Sequence, residues 1–341
     1  MTIQRPHSLR ALLPCLLQRP FVAVWIYLFA SFQGVFGQPN DLFFHHLTPA
    51  QGLSQSTNPC IYRDRSGFVW IGSSEGLNRF DGVRVKVYKA DPGDACALAD
   101  PTVTSPVFED RREDLWFCTH TAVHRYRRQY DDFERFVLYD AAGTALKGYQ
   151  VFGLDRQERL WVHCNGQVYR FDVRPAVSER FHPVLAIDAN SFCYFETDSL
   201  AATGALFAIG ETGVVRYQCD LNTVRLTDTL FTGVHVNCIY QERSGVVWAG
   251  SDEGLFQVHP NGRIRSPVDS RSTGIRQIKP WGTTYLFAAT DQGLFLVDKA
   301  SGRTVRQWTY DNQNPAGLSA NILAALHIDE EDNLWVSAWT K

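Results

Sequence analysis

"RDRSGFVWIGSSEGLNRFDG", residues 63–82, places a tight-turn signal at Asp64 to Gly67, an apolar run ending at Gly72, a short polar loop closed by Gly76, and a second alternating run ending at Phe80. Two short alternating runs around a glycine-bearing loop predict a pair of strands joined by a hairpin. The question is whether the stretch is a site in itself or one unit of a repeat.

The tryptophans decide for the repeat. Trp70, Trp116 and Trp161 lie 46 and 45 residues apart, and each is followed ten residues later by an aromatic, Phe80, Tyr126 and Phe171. The same frame fits Phe207 with Tyr217, Trp248 with Val258 and Phe287 with Val297, and a further unit starts at Trp335, six residues before the last residue, Lys341. Seven units therefore recur at intervals of about 39 to 48 residues. In five of them an acid stands six residues before the aromatic: Asp64, Asp110, Asp155, Glu242 and Asp329. A carboxylate there accepts backbone N–H bonds from the turn that follows, so it is read as a turn organiser, not as a catalyst. Gly67 and Gly245 relax the same turn, and units with a Glu or an Asn at that place are expected to be less regular. After each aromatic comes a strand–loop–strand pattern in which Gly76, Gly213, Gly254 and Gly293 align. Units of this length with four short strands predict an all-β fold, a seven-bladed β-propeller with four-stranded blades whose last blade is truncated. "FFHHL", residues 43–47, is expected to be an outer strand that closes the ring.

Composition agrees with a pleated fold. Aromatic residues make up 13% of the 341-residue chain, nine of them Trp, against a single Met. The net charge of −3 provides no basic field for phosphate, which excludes nucleic acid as the expected partner. In residues 1–37, Arg5, Arg10 and Arg19 precede the apolar run "FVAVWIYLFASFQGVFG", and no acid occurs before Asp41. This is the pattern of a signal peptide, with cleavage expected before Gln38 and an uncleaved N-terminal anchor as the alternative. Residues 38–341 are then the exported propeller, periplasmic in location, and the membrane enters only through the leader and a downstream helix. Cys15 follows Pro14 and precedes the apolar run, so a lipoprotein signal is rejected.

"LTPAQGLSQSTNPCIYRDRSGFVWIGSSEGLNRFDG" resembles the opening of the two-component regulator propeller, the exported sensor module of hybrid two-component systems of Bacteroidetes. Asp64, Gly67, Trp70, Ile71, Gly72, Gly76, Leu77, Arg79, Phe80, Asp81 and Gly82 fall on its repeat motif, and Gly52, Leu53 and Ser54 on the phrase before it. Gly317, Leu318 and Ser319 in "NPAGLSANILAALHIDEEDNLWVSAW" repeat that phrase. The resemblance is strong at the two ends of residues 45–341 and degraded between them. It implies two propellers, an immunoglobulin-like domain, a transmembrane helix and a histidine kinase with its phosphorelay, of which this chain holds the first propeller. It also implies a sugar or oligosaccharide as the signal and a homodimer as the full-length form.

Propeller ligands are expected on the rim formed by the loops between second and third strands and by the connections between blades. The candidates there are Glu75, His120, Asn165, Asp252, Glu253, Asp291 and Trp339, short polar groups with one aromatic that suit hydroxyls and a sugar ring. Trp70, Trp116, Trp161, Phe207, Trp248, Phe287 and Trp335 are assigned to the repeat itself. Trp281 reads as a buried anchor before a rim aromatic. No cofactor, metal site or catalytic residue is assigned: His120 and His124 lie four apart in strand and loop, where they do not converge, and His45 and His46 point to opposite faces. The seven cysteines after the leader show no disulfide framework and read mostly as buried thiols, with one bridged pair left open. Two alternatives stand: a propeller glycosidase or lyase, since "DRSGFVW" approaches an Asp-box, and a protein-interaction platform. An arginine cluster with a Tyr/Glu nucleophile pair cannot be assembled for the first.

Overall fold

The computed structural model describes residues 42–174, 180–187, 189–198, 203–220, 223–265 and 273–339. The leader expected at residues 1–37 lies outside the described residues. The regular structure is all β apart from one 3-10 turn, Pro49–Gln51. In the first blade the strands Cys60–Arg63, Val69–Ser73, Gly76–Phe80 and Val85–Tyr88 pair antiparallel in chain order. The same four-stranded meander is repeated over residues 108–136, 150–186, 191–230, 236–265 and 275–308.

Among the described residues there are thus six four-stranded blades, which corrects the expectation of seven. Among the described residues the seventh unit is a two-stranded sheet, Leu323–Ile328 with Leu334–Ala338. Its first strand packs between the first strands of the sixth and first blades, so the ring still closes. The seam is held by side chains as well: Arg63 donates through Nη1 to Asp329 Oδ2 at 3.2 Å, and the rings of Tyr62 and His327 meet at 5.3 Å. Residues 43–47 form no strand, contrary to expectation. They run as extended coil beside the two-stranded sheet, where Leu42 and Phe44 join its apolar cluster and Phe44 N–H donates to Ala316 O at 2.8 Å. A cavity of about 140 Å³ remains at this seam, with Asn58, Ile71, Trp335 and Ser337 in its wall.

Blade aromatics build the core between neighbouring sheets. Trp70, Trp116, Trp161 and Trp248 are wholly buried, as is Phe207; Phe287 is nearly so and Trp335 is half-buried. Trp70 meets Tyr126 of the second blade edge-on at 4.6 Å, and Trp116 meets Phe171 of the third at 5.5 Å. In the first two blades the aromatic therefore packs on the aromatic that follows its counterpart in the next blade. Rings at these spacings add about 0.5–1.5 kcal/mol per pair beyond the area they bury. Trp281 ends the first strand of the sixth blade and packs on Phe287 at 5.2 Å, away from the rim.

The turn before each aromatic has one construction in five units. The acid's N–H donates to the carbonyl four residues on, at 2.8 to 3.1 Å, and the residue three on donates back to the acid's carbonyl, at 2.9 to 3.1 Å. That third residue has a positive φ throughout: Gly67 at 90°, Glu113 at 66°, Glu158 at 59°, Gly245 at 83° and Asp332 at 63°. The expected irregularity at units without glycine is therefore absent. Carboxylate Oδ1 atoms account for it: Asp110, Asp155 and Asp329 each accept N–H bonds from the residues two and four on, all between 2.8 and 3.0 Å, and these bonds hold the side-chain-bearing residue in the left-handed region.

The second carboxylate oxygen performs a role that spacing alone did not reveal. Asp64, Asp110, Glu242 and Asp329 each accept the indole N–H of the aromatic six residues on, at 2.7 to 3.0 Å. In the third blade Arg159 occupies that oxygen instead, with Nε 2.9 Å from Asp155 Oδ2, and Trp161 Nε1 is left without a partner.

Candidate ligand-binding rim

Hairpins between second and third strands share one face with the connections between blades. Their turn chemistry is shared by the first, fifth and sixth blades. Ser73, Ser251 and Thr290, all fully buried, donate to Gly76 O, Gly254 O and Gly293 O at 2.7 to 3.0 Å, and accept from the N–H of Glu75, Glu253 and Gln292 at 3.0 to 3.1 Å. The hydroxyls of these loops are thereby committed to the fold. The side chains of Glu75 and Glu253 remain exposed at the tips.

The seven rim candidates do not form one site. Glu75, His120 and Asn165 stand on separate blades, exposed, with no hydrogen bond joining them among the described residues. Asn165 supplies a turn residue at φ 50°, and His120 contributes its carbonyl to Gly148 N–H at 2.7 Å. Asp252 and Asp291 are brought together by the connection into the sixth blade, and Trp339 lies beside Arg276 of that blade's first strand. A methyl group built on Gly274 would sit 3.4 Å from Asp291 Oδ2 and 3.6 Å from Asp252 Oδ1, so both carboxylates flank the same backbone atom. Asp291 N–H donates to Gly274 O at 3.2 Å, which fixes that hairpin against the connection.

Two residues further along, in the first strand of the sixth blade, Arg276 lies with its guanidinium 5.3 Å from the centre of the Trp339 ring. Trp339 is 45% exposed and anchored through its N–H to Ile322 O at 2.8 Å. Asp252 accepts from Asn237 Nδ2 at 2.8 Å and has His235 Nδ1 3.3 Å from its Oδ2, both from the preceding connection. Arg276, His235 and Asn237 were not picked out from the sequence. Their signal was positional, since each lies at or just before the start of a first strand on the rim face.

Chemically, this arc combines an exposed aromatic face, a guanidinium beside it, and two carboxylates whose remaining lone pairs face solvent or lack a donor. Asp291 Oδ1 has no partner among the described residues. An acceptor in that state gains from an added hydroxyl donor, because unmade bonds on shielded oxygens cost about 1–3 kcal/mol.

Elsewhere the titrating groups serve the fold. His124 is buried on Phe117, ring centres 5.3 Å apart, where Nε2 accepts Ala99 N–H at 3.0 Å; burial pushes its pKa down to about 4. The seven cysteines carry free thiols. Burial pushes Cys60, Cys219 and Cys238 up to about 12 and Cys118, Cys164 and Cys193 to about 11, which keeps them protonated and unreactive. No helix among the described residues is long and apolar enough to cross a membrane.

Comparison with known proteins places the repeat. The profile of the two-component regulator propeller matches residues 52–75. The histidine kinase P4 of Formosa agariphila is 39% identical over 62 residues, 18% of this chain and 4% of that protein. The extracellular domain of a putative hybrid two-component system from B. thetaiotaomicron superposes with a TM-score of 0.70 at 20% identity, over 88% of this chain and 41% of that one. A second extracellular domain from the same organism, of a putative one-component system, gives 0.67 at 19% identity over 87% and 39%. The chain thus spans about two-fifths of the length of these solved domains, and the likeness to them is one of fold. The repeat that opens the first blade is thus similar to that of the two-component regulator propeller.

Proposed function

We propose that this chain is the exported ligand-sensing propeller of a two-component system, that its ligand is a carbohydrate, and that the ligand sits on the arc formed by Asp252, Asp291, Arg276 and Trp339. The observation that carries the reading is the half-exposed Trp339 ring with Arg276 beside it and two carboxylates around Gly274. An aromatic face takes the C–H face of a pyranose, while carboxylates and a guanidinium direct hydrogen bonds to its hydroxyls. Likeness of fold to extracellular domains of two-component systems supports the sensor role and a periplasmic location. The signal would pass to a histidine kinase outside this chain, in a full-length protein that acts as a homodimer.

A thermal-shift panel of mono- and oligosaccharides on the exported region tests it. Binding restricted to the native state raises the midpoint, by about 2–4 °C per kcal/mol for a domain of this size. One glycan class giving that rise, reduced by Asp291→Asn, is the expected result. Turnover of a glycoside in the same wells would replace the sensor with an enzyme, and a flat response to every sugar would overturn the carbohydrate reading.

A further inference from the structure

The first strand of the sixth blade, Ile275–Trp281, opens with a bulge: Ile275 faces Thr290 and Gln277 faces Ala289, so Arg276 between them has no residue opposite. The same irregularity stands at Asn237 in the fifth blade and at Ala324 in the seventh sheet, each eleven residues before its blade aromatic, as Arg276 is before Phe287. A bulge releases one side chain from the pleat and re-aims it. Asn237 uses its amide on Asp252 Oδ1 at 2.8 Å and on Ile275 O at 3.2 Å, and Ala324 has no polar group to present. Arg276 is exposed and makes no hydrogen bond or ion pair among the described residues.

Other arginines that lie against rings are not left in that state. Arg79, Arg125, Arg127, Arg170 and Arg180 each stand over an aromatic and also hold a carboxylate or a backbone carbonyl. Arg276 has the ring alone, with its guanidinium 5.3 Å from the centre of Trp339. A carbon stacked over a ring centre sits at about 3.5–4.0 Å, so the guanidinium stands toward the edge and leaves part of the aromatic face to a ligand. Its N–H donors form a planar fork that matches the two oxygens of a carboxylate.

Resting on the carbohydrate reading above, we propose that the ligand of this rim is a uronate-bearing oligosaccharide, with the sugar's carboxylate on Arg276 and the C–H face of the same sugar on Trp339. A pyranose that carries a carboxylate presents an apolar face and an anionic edge together, which is the pair of surfaces that Trp339 and Arg276 offer. Asp252 and Asp291, whose carboxylates flank Gly274 two residues before Arg276, repel the sugar's carboxylate and accept from its hydroxyls, so the ring docks in one direction. Arg276 is thereby the residue that separates acidic from neutral glycans.

Titration calorimetry of the exported region with short oligomers of galacturonate, glucuronate and mannuronate, each beside its neutral methyl ester, tests it, with sulfated galactose oligomers as a further arm. At least one acid should bind about ten- to a hundredfold tighter than its ester, the range expected for hydrogen bonds to a charged group, and the preference should shrink as salt is raised. Arg276→Gln, an exposed substitution whose unliganded melting temperature should match wild type, should bind acid and ester alike, and Arg276→Lys should keep part of the preference. An acid preference that survives Arg276→Gln would overturn the role of Arg276. Esters that bind as tightly as their acids, or sulfated oligomers that bind more tightly than any uronate, would overturn the uronate class while the carbohydrate reading stands. Binding of no glycan at all would remove that reading and this one with it.

Discussion

Replacing Trp116 and, separately, Trp161 by phenylalanine removes an indole N–H from two sites that are equally buried, each fully enclosed between blades. Both rings lose the same atoms, and both keep aromatic and cationic neighbours: Phe171 and Arg125 for Trp116, Tyr194 and Arg170 for Trp161. Their polar terms differ. Trp116 Nε1 donates to Asp110 Oδ2 at 2.9 Å, and among the described residues no other donor reaches that oxygen. Trp116→Phe therefore strands a carboxylate oxygen of a residue only 3% exposed. Trp161 Nε1 has no partner to lose, because Arg159 holds Asp155 Oδ2. A hydrogen bond to a charged group is worth about 1.5–3 kcal/mol, so Trp116→Phe should cost about 2 kcal/mol more than Trp161→Phe. Urea denaturation of the two variants measures the difference directly, since the shared loss of packing cancels. Arg159→Leu should hand Asp155 Oδ2 back to Trp161 and raise the cost of Trp161→Phe toward that of Trp116→Phe. Equal losses for the two single substitutions would refute the assignment of the acid as an indole acceptor.

Glycine at Glu113 or Glu158 should raise stability by up to about 1 kcal/mol each, because a left-handed residue with a side chain costs about 1–2 kcal/mol and glycine returns part of that as lost chain entropy; melting temperatures of the two variants check it. Acid should weaken the fold before the carboxylates titrate. His124 and His327 have their pKa values lowered to about 4 by burial, while the unfolded chain takes up those protons near 6.5, so the unfolded state binds more protons between the two values. Stability is then full above about pH 6.5 and falls by roughly 1.4 kcal/mol per pH unit for each histidine as pH drops toward 4. Denaturation midpoints of wild type and His124→Gln across that window should show a shallower slope in the variant, and parallel slopes would contradict the assignment. Asp64→Ala should cost about 3–5 kcal/mol by urea denaturation, since it abandons Trp70 Nε1, Phe68 N–H and Arg128 Nη1 together.

Much of the fold was legible because a propeller writes one unit repeatedly. The spacing from Trp70 to Trp116 to Trp161 gave the blade period, and the acid six residues before each aromatic marked the turn. The seventh unit was counted as a blade because the pattern identifies a unit by its second strand, and the described residues around Trp335 form a sheet of two strands. The turns at Glu113 and Glu158 looked irregular on a rule that asks for glycine, whereas Oδ1 of the preceding Asp supplies the restraint glycine makes unnecessary. At the rim, composition found Asp252, Asp291 and Trp339 together with Glu75, His120, Asn165 and Glu253, since every hairpin tip is polar. Only the approach of the connection at Gly274 selects Asp252 and Asp291, and only Arg276 beside its ring selects Trp339. Arg276 escaped notice because only the aromatic Trp281 stands out in "IRQIKPW".

The most direct measurement is calorimetric titration of the exported region with the oligosaccharide that most raises its melting temperature, comparing wild type with Trp339→Ala. Loss of an aromatic platform against one sugar ring should weaken binding about tenfold, the equivalent of about 1.4 kcal/mol. An affinity unchanged by Trp339→Ala would place the ligand elsewhere on the propeller and contradict the rim assignment.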